Sequence, residues 1–301
     1  MVWTLGAAGA AECGADKLGT SRVMGVGVSG GLEVGLKTYP RTLALADHEV
    51  ILTFDDGPAA GTTVRILDAL AGECVRATFF LIGRHAQAMP QLVQREEREG
   101  HTIGHHTFSH PAATLRSMRF EAARDDILRG IAADEAALLE RSVAPGGTPD
   151  LAAAQHPRTP FFRFPGFADT PDLRKWFGEN NVGIFGVDLW ASDWAKMTPD
   201  DELKLILSRL EKARKGMLLF HDNKPWTAEM LPRFLVELKR RGYHVVQIEP
   251  GPGRGPTEPA PAGWRSQTER TLNAVKPRLE HEAATAAHKN AAFAVQPAPQ
   301  E

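Results

Sequence analysis

Short apolar runs alternate with longer amphipathic stretches between about residues 50 and 248. The runs have the length of buried strands, and the stretches between them repeat apolar residues at helical spacing. This pattern predicts strands at 50–54, 77–82, 102–104, 161–164, 182–187, 216–220 and 245–248, and helices at 63–71, 90–100, 120–139, 171–179, 199–213 and 228–241. Alternation of this kind is typical of an α/β fold with parallel strands and crossover helices, either an incomplete barrel or an open sheet.

The two ends of the chain differ from this middle part. Residues 1–22 are apolar and small, like half of a secretory signal that lacks its positively charged start, and they fit either a clipped signal peptide or a flexible N-terminus. From residue 251 the chain is rich in Pro, Gly and Ala, which favours disorder. We therefore expect an N-terminal segment and lead-in at 1–49, one barrel domain at 50–250 and a tail at 251–301.

The composition excludes several classes of protein. Of 301 residues, 43% are hydrophobic, and 35 basic residues nearly balance 37 acidic ones, so nothing indicates a nucleic-acid partner. No apolar run reaches the roughly 20 residues of a transmembrane segment. Two cysteines exclude a disulfide-dense miniprotein and a four-cysteine zinc module. The sequence carries no signal for an oligomeric state.

Polar clusters follow the ends of the predicted strands. Asp55 and Asp56 end the first strand, and two neighbouring carboxylates repel unless a cation compensates them; the alternative is a solvated turn. His106 and His110 are four residues apart, so that one helical turn would aim both imidazoles in the same direction. Together with Asp56 they would form a site of two histidines and one carboxylate, with room for water as catalytic zinc sites have.

Three further clusters each allow a structural and a functional interpretation. Arg163 lies among phenylalanines, where it either pairs with a buried carboxylate or extends its head to solvent. Trp190 and Trp194 fit core packing or an aromatic floor for a sugar. His221 ends the sixth predicted strand as a structural residue or a catalyst. Because the carboxyl ends of parallel strands gather at one edge, these clusters together predict an active site.

This set of motifs resembles the NodB-type polysaccharide deacetylases, the fourth family of carbohydrate esterases. The resemblance covers about residues 50–248 and is most specific at 53–58 and 106–110. It implies a distorted (β/α) barrel with about seven strands, the NodB homology domain. It also implies a divalent metal, usually zinc and sometimes cobalt or nickel, held by Asp56, His106 and His110.

The same resemblance implies roles for the other motif residues. Asp55 would be the general base that takes a proton from a metal-bound water, and Arg163 would keep it ionised. His221 would be the general acid that protonates the leaving amine, with Asp193 holding its charge. Trp194 would line the groove for the acetyl methyl group.

The sequence departs from the commonest family pattern at three positions. Gly166 stands where an aromatic residue is usual, although its backbone N–H can still serve the substrate. His105 stands where Asn or Thr is frequent, and it could compete for metal unless its side chain points away. Trp190, which we place in the substrate groove, stands where an aspartate is common. Either Asp188 or Asp193 could therefore support His221.

The resemblance implies a hydrolase that removes N-acetyl groups from a glycan such as chitooligosaccharide or peptidoglycan. An acetylxylan esterase or a non-sugar amidohydrolase would use the same groups. A non-enzymatic glycan-binding relative is disfavoured because every motif keeps a competent residue. We expect a periplasmic or secreted protein, with a cytoplasmic one as the alternative. An exported chain could join Cys13 to Cys74, whereas a cytosolic one would keep two thiols.

Overall fold

The computed structural model describes residues 14, 16–112, 114–139 and 153–273. Its strands are β1 Thr20–Val26, β2 Leu32–Val34, β3 Arg41–Leu43, β4 Glu49–Asp55, β5 Thr78–Leu81, β6 Thr102–His105, β7 Phe161–Phe162, β8 Gly183–Phe185, β9 Leu189–Trp190, β10 Gly216–His221, β11 His244–Pro250 and β12 Thr257–Pro259. Its labelled α-helices are α1 Thr62–Gly72, α2 Gly83–Ala88, α3 Pro90–Arg98, α4 Phe120–Leu138, α5 Pro171–Glu179, α6 Pro199–Ala213 and α7 Pro225–Arg240, and residues 267–273 are helical as well. Short 3₁₀ turns lie at Leu115–Ser117, Ala153–Gln155 and Pro165–Phe167.

The parallel strands form a distorted barrel, which confirms the predicted fold class. Neighbouring strands pair in the order β9-β10-β4-β5-β6-β7-β8, and the short connection at 186–188 returns the chain from β8 to β9. At the amino end of β4, β11 pairs with Glu49 and Val50 and carries β1 on its other side. The carboxyl ends of β4, β6, β7 and β10 therefore open on the same side of the molecule.

Residues of the barrel strands are buried on both faces, as parallel strands under helices should be. Phe54 stacks with Phe79 and Phe220 in the layer between the strands and the helices α1 and α7. Ile51 and Leu219 point the other way and fill the barrel interior. Neither face of these strands is left for solvent, so that functional side chains are confined to the strand ends.

Helices α5 and α6 begin and end at the predicted residues because their start signals are strong. Thr170 accepts a hydrogen bond from Leu173 N, Thr198 accepts one from Asp201 N, and a proline follows each cap. Helix α2 and strands β1, β2, β3, β9 and β12 were not predicted. These elements are short or, in β1, largely exposed, and their apolar periodicity is too weak to read.

The tail prediction is wrong for residues 251–273. Strand β12 pairs antiparallel with β3, and the indole of Trp264 donates to Leu36 O at 2.7 Å. Gln267 N and Thr268 N both donate to Lys37 O. We call residues 257–273 the C-terminal strap. Backbone hydrogen bonds rather than an apolar stripe order it, which is why periodicity did not reveal it. Residues 274–301 lie outside the described part.

Cys74 is disulfide-bonded, whereas Cys13 lies outside the described residues, so that the pairing of the two stays a prediction. Among the helices of the described ranges, none is long and apolar enough to cross a bilayer.

Candidate active site

Asp55 and Arg163 form a buried ion pair at the open end of the barrel. Arg163 Nη1 donates to Asp55 Oδ1 at 2.6 Å, and neither side chain has appreciable contact with solvent. The guanidinium also donates to Thr53 Oγ1 and to the carbonyl oxygens of Phe185 and Gly186. Arg163 is therefore fully partnered in the interior, and of its two predicted arrangements the structure has the buried pair.

The environment of Asp55 sets its proton affinity. Burial raises the pKa of Asp55 to about 6, although the positive charges of Arg163 and His221 oppose that rise. A carboxylate with this pKa is ionised at neutral pH and yet basic enough to accept a proton.

Asp56, His106 and His110 converge beside this pair. The three ligand atoms lie within 4.8 Å of one another, with Asp56 Oδ1 3.7 Å from His106 Nε2 and 3.4 Å from His110 Nε2. Asp56 Oδ1 is buried and has no hydrogen-bond partner. An orphaned carboxylate oxygen facing two imidazole nitrogens fits a divalent cation such as zinc.

The tautomer and charge of His106 suit a metal ligand. Its Nδ1 lies 2.7 Å from the carbonyl oxygen of Arg163, which requires Nδ1–H and leaves the Nε2 lone pair directed at Asp56 Oδ1. Burial, reinforced by the nearby His110, lowers the pKa of His106 to about 3. The ring is therefore neutral at physiological pH, as metal coordination requires.

The predicted helical turn at 106–110 is wrong, although both imidazoles do meet. Strand β6 ends at His105, and Thr107 and His110 then adopt positive φ angles of 68° and 48°. Helix α2 imposes this path, because Gly83 N donates to Thr107 O. An irregular loop tied to a neighbouring helix, rather than a helical turn, thus brings the two imidazoles together.

His221 and Asp193 form a second charged pair across the opening. Asp193 Oδ1 lies 2.7 Å from His221 Nδ1, and Asp193 Oδ2 accepts from His221 N at 2.6 Å. Burial alone would lower the pKa of His221, but the charge and hydrogen bond of Asp193 outweigh it and raise that pKa to about 9. The imidazole is therefore a protonated acid at neutral pH.

Of the two aspartates left open by the sequence, Asp193 contacts His221. Asp188 instead accepts hydrogen bonds from Leu36 N, Thr42 Oγ1 and Met217 N, where it joins the lead-in to the barrel. Asp193 is also held from behind, because Trp226 Nε1 donates to its carbonyl oxygen.

The predicted substrate residues lie around this opening. Trp194 is 50% exposed and stands edge-on to His221, with ring centroids 6.2 Å apart. Trp190 is half-buried and meets Trp194 at 5.5 Å, nearly perpendicular. Gly166 is exposed with a φ of 60°, a conformation that glycine adopts without strain. His105 points away from the metal ligands and bonds Asp134 at 2.8 Å, so it does not compete with them.

Three residues near the site were not predicted from the sequence. Asn223 Nδ2 donates to Asp56 Oδ2 at 3.1 Å, and His85 Nδ1 lies 2.8 Å from the Asp56 carbonyl oxygen. Asp222, buried and with its pKa raised to about 7 by that burial, accepts from Thr63 Oγ1. Asn223 and Asp222 follow directly after a strand end, and that position was a signal for them; His85 offered none.

Comparisons with known proteins point to one family. The family model for polysaccharide deacetylase matches residues 44–143. A chitooligosaccharide deacetylase of Sinorhizobium fredii is 31% identical over 229 residues, which cover 71% of this chain and 95% of that relative. The chain belongs to the polysaccharide deacetylase family.

Other members of the polysaccharide deacetylase family are similar over a smaller share of their length. A peptidoglycan-N-acetylglucosamine deacetylase of Bacillus cereus is 30% identical over 206 residues, 66% of each chain. The structure of a peptidoglycan deacetylase from Bdellovibrio bacteriovorus aligns with a TM-score of 0.63 and 28% identity, over 76% of this chain and 58% of that one. The match thus spans about two thirds or less of these two proteins.

Proposed function

We propose that the protein is a metal-dependent hydrolase that removes N-acetyl groups from a glycan built on N-acetylglucosamine. The observation that carries this proposal is that a carboxylate and an imidazole with opposite charges lie beside the same three candidate metal ligands. Asp55 is ionised and His221 is protonated at neutral pH, and both border the trio of Asp56, His106 and His110. Amide hydrolysis needs such a base and such an acid at one pH.

Asp56, His106 and His110 would hold the metal, with zinc fitting best and cobalt or nickel possible as substitutes. Such an ion supplies a lowered pKa for attacking water and polarises the amide carbonyl. The orphaned Oδ1 of Asp56 and the free Nε2 atoms are the donors that this ion would take.

Asp55 would take the proton from attacking water. Arg163 holds Asp55 Oδ1, so the second oxygen remains for the water, and that Oδ2 lies 4.0 Å from His106 Nε2. Because Arg163 is itself fixed by four hydrogen bonds to oxygen, the base has one orientation. Fixed orientation lowers the barrier, since no side-chain freedom is lost during the reaction.

His221 would donate its proton to the departing amine nitrogen. Its Nδ1 is occupied by Asp193 Oδ1, which leaves Nε2–H as the donor. A free amine is a poor leaving group until it is protonated, so amide cleavage depends on this step. Asp193 would act as a positioning residue that keeps the imidazole charged.

Trp190, Trp194 and Gly166 would form the surface on which the sugar lies. Trp194 presents an exposed ring next to His221, and Gly166 leaves space where a larger side chain would stand. The relatives from Sinorhizobium fredii and Bacillus cereus are named for chitooligosaccharide and peptidoglycan. We infer that the substrate is one of these glycans or a related polymer.

We also infer that the protein works outside the cytoplasm, in the periplasm or secreted. The disulfide at Cys74 supports this location, because disulfides persist in oxidising compartments.

Acetate release is the direct test. Purified protein loaded with zinc should release acetate from chitooligosaccharide or peptidoglycan, and a chelator should abolish the release until zinc returns. Acetylxylan is assayed in parallel to test for hydrolysis of acetyl esters. Asp55→Asn should bind zinc as the wild type does and yet lose turnover. Activity that survives complete metal removal, or full activity of Asp55→Asn, would overturn the mechanism. Acetate release from acetylxylan alone would show that the substrate is an acetyl ester and not an N-acetylated glycan.

A further inference from the structure

The rim of the opening carries two cations without a carboxylate partner. Lys37 Nζ lies 4.9 Å above the centre of the Trp190 ring, and Arg209 Nη1 donates to Trp190 O and to Ser192 Oγ. Throughout the described part of the chain, neither cation lies within ion-pair distance of a carboxylate. We call Lys37, Trp190, Arg209 and Gln267 the Trp190 cluster.

The C-terminal strap positions Lys37. Gln267 Oε1 accepts from Lys37 Nζ at 2.6 Å, and Gln267 N and Thr268 N bind the Lys37 carbonyl oxygen. An ammonium group has three donors, and Gln267 takes one of them. The stacking on Trp190 restrains the amine without consuming the others. Lys37 is therefore ordered at the rim with donors to spare.

The positive charge of the Trp190 cluster is not neutralised by the carboxylate of Asp188. The charge of Asp188 opposes the lowering of the Lys37 pKa, but Asp188 makes no ion pair with Lys37, and its oxygens accept from Leu36 N, Thr42 Oγ1 and Met217 N. Lys37 and Arg209 both contact Trp190, and burial together with the neighbouring charge of Arg209 lowers the pKa of Lys37. Such a pair attracts an anion more strongly than an isolated surface lysine does.

The cluster continues the row of aromatic residues that leads away from the catalytic acid. Trp194 contacts His221, Trp190 contacts Trp194, and Lys37 covers Trp190. On its inner side Trp190 also faces Phe167, which follows Gly166 at the opening. A glycan whose acetamide reaches His221 would pass along this row and bring its neighbouring sugar toward Lys37.

We propose that the Trp190 cluster is a subsite for a carboxylate carried by the sugar next to the one that is deacetylated. The inference rests on the proposed function and adds a substrate class to it, an acidic glycan rather than a neutral one. A singly charged carboxylate fits because Arg209 Nη1 is already engaged, so that Lys37 supplies the direct contact and Arg209 a supporting charge. A phosphate would instead favour a free guanidinium fork.

Equilibrium binding tests this subsite separately from turnover. The zinc-loaded Asp55→Asn protein is titrated with three tetrasaccharides of one linkage: N-acetylglucosamine alone, the form with 3-O-lactyl carboxylates on alternate sugars, and that form with the carboxylates converted to amides. We expect the carboxylate form to bind about fivefold more tightly than its amide, as one partly exposed ion pair allows. Adding Lys37→Met should remove this difference, and Lys37→Arg should retain it.

Lys204→Met, which removes an exposed lysine from α6, is the matched control and should leave the difference unchanged. High salt should reduce the preference for the carboxylate form, because it screens a partly exposed charge. Equal affinity for the carboxylate and amide forms, or equal losses on all three ligands in Lys37→Met, would overturn the subsite. Failure of wild-type protein to release acetate, with the binding preference intact, would overturn only the proposed activity.

Discussion

Arg163 Nη1 lies 2.6 Å from Asp55 Oδ1, with both side chains buried at the carboxyl ends of their strands. Each group would be costly to bury alone, and each is stable here because the other is present. The stability of the barrel therefore depends on the charge of Asp55, the proposed general base.

Removing the arginine should therefore destabilise the protein as well as inactivate it. Arg163→Met leaves Asp55 buried without its counter-charge, and we expect the free energy of unfolding to fall by about 3–5 kcal/mol. Arg174→Met removes a partly exposed arginine that pairs with Glu33, and should cost at most about 1 kcal/mol. Denaturant unfolding measures both.

A double variant shows whether the loss comes from the unpaired charge. Asp55→Asn combined with Arg163→Met removes both members and should recover part of the stability lost in Arg163→Met alone. Similar losses in Arg163→Met and Arg174→Met would show that the buried pair has no special weight.

Asp193 should control the proton affinity of His221. In Asp193→Asn the burial of the imidazole is no longer opposed by that negative charge, so the pKa of His221 should fall well below its wild-type value of about 9. Proton NMR of the imidazole in chelator-treated protein measures this. Asp188→Asn, which alters the other candidate aspartate, should leave the pKa of His221 unchanged. An equal fall of that pKa in Asp188→Asn would contradict the assignment of Asp193 as the residue that supports His221.

The same pair predicts a dependence of stability on pH. The pKa of His221 is higher in the folded chain than its ordinary value of 6.5. Its protonation therefore stabilises the fold fully below about pH 6.5, and this contribution is lost as the pH rises through about 9. Unfolding of the metal-free protein between pH 6 and 10 should show that loss in the wild type and less of it in Asp193→Asn. Parallel curves would contradict it.

Asn223 should strengthen metal binding without being a ligand. It holds Asp56 Oδ2 at 3.1 Å and so directs Oδ1 toward both histidines. We expect Asn223→Ala to weaken zinc affinity by about 10- to 100-fold, as the loss of such supporting contacts does elsewhere. Competition with a chelating dye measures it. Asn181→Ala, whose side chain binds Gly30 N away from the site, should keep wild-type affinity; an equal loss there would contradict the role of Asn223.

Much of the fold could be predicted because its signals are local. The caps at Thr170 and Thr198 set the start of α5 and α6, and the buried runs marked most barrel strands. The ligand trio follows two strand ends and could be proposed from that position, whereas the pairing of Asp55 with Arg163 came from the family resemblance and the partner of His221 stayed open between two aspartates. Parallel strands make this inference strong, since their carboxyl ends must meet.

What could not be predicted depends on contacts between distant segments. The loop at 106–110 takes its shape from α2, and the strap is ordered by backbone bonds to residues more than 200 positions earlier. The sequence could not distinguish Asp188 from Asp193 as the partner of His221. In the structure Leu36 N and Thr42 Oγ1 donate hydrogen bonds to Asp188, which leaves Asp193 as that partner. Apolar periodicity indicates which residues of one segment are buried. It carries no information about hydrogen bonds between segments that are distant in sequence.

His221 should matter more for amides than for activated esters. Its proton is needed by a departing amine, whereas an aryl alcohol leaves without full protonation. We expect His221→Ala to lose about 10²- to 10⁴-fold in kcat on an N-acetylated glycan and much less on an aryl acetate. Trp194→Ala removes the ring beside His221 and should affect both substrates alike. Equal losses on amide and ester in His221→Ala would place the general acid elsewhere, because a group that only shapes the groove cannot distinguish the two leaving groups.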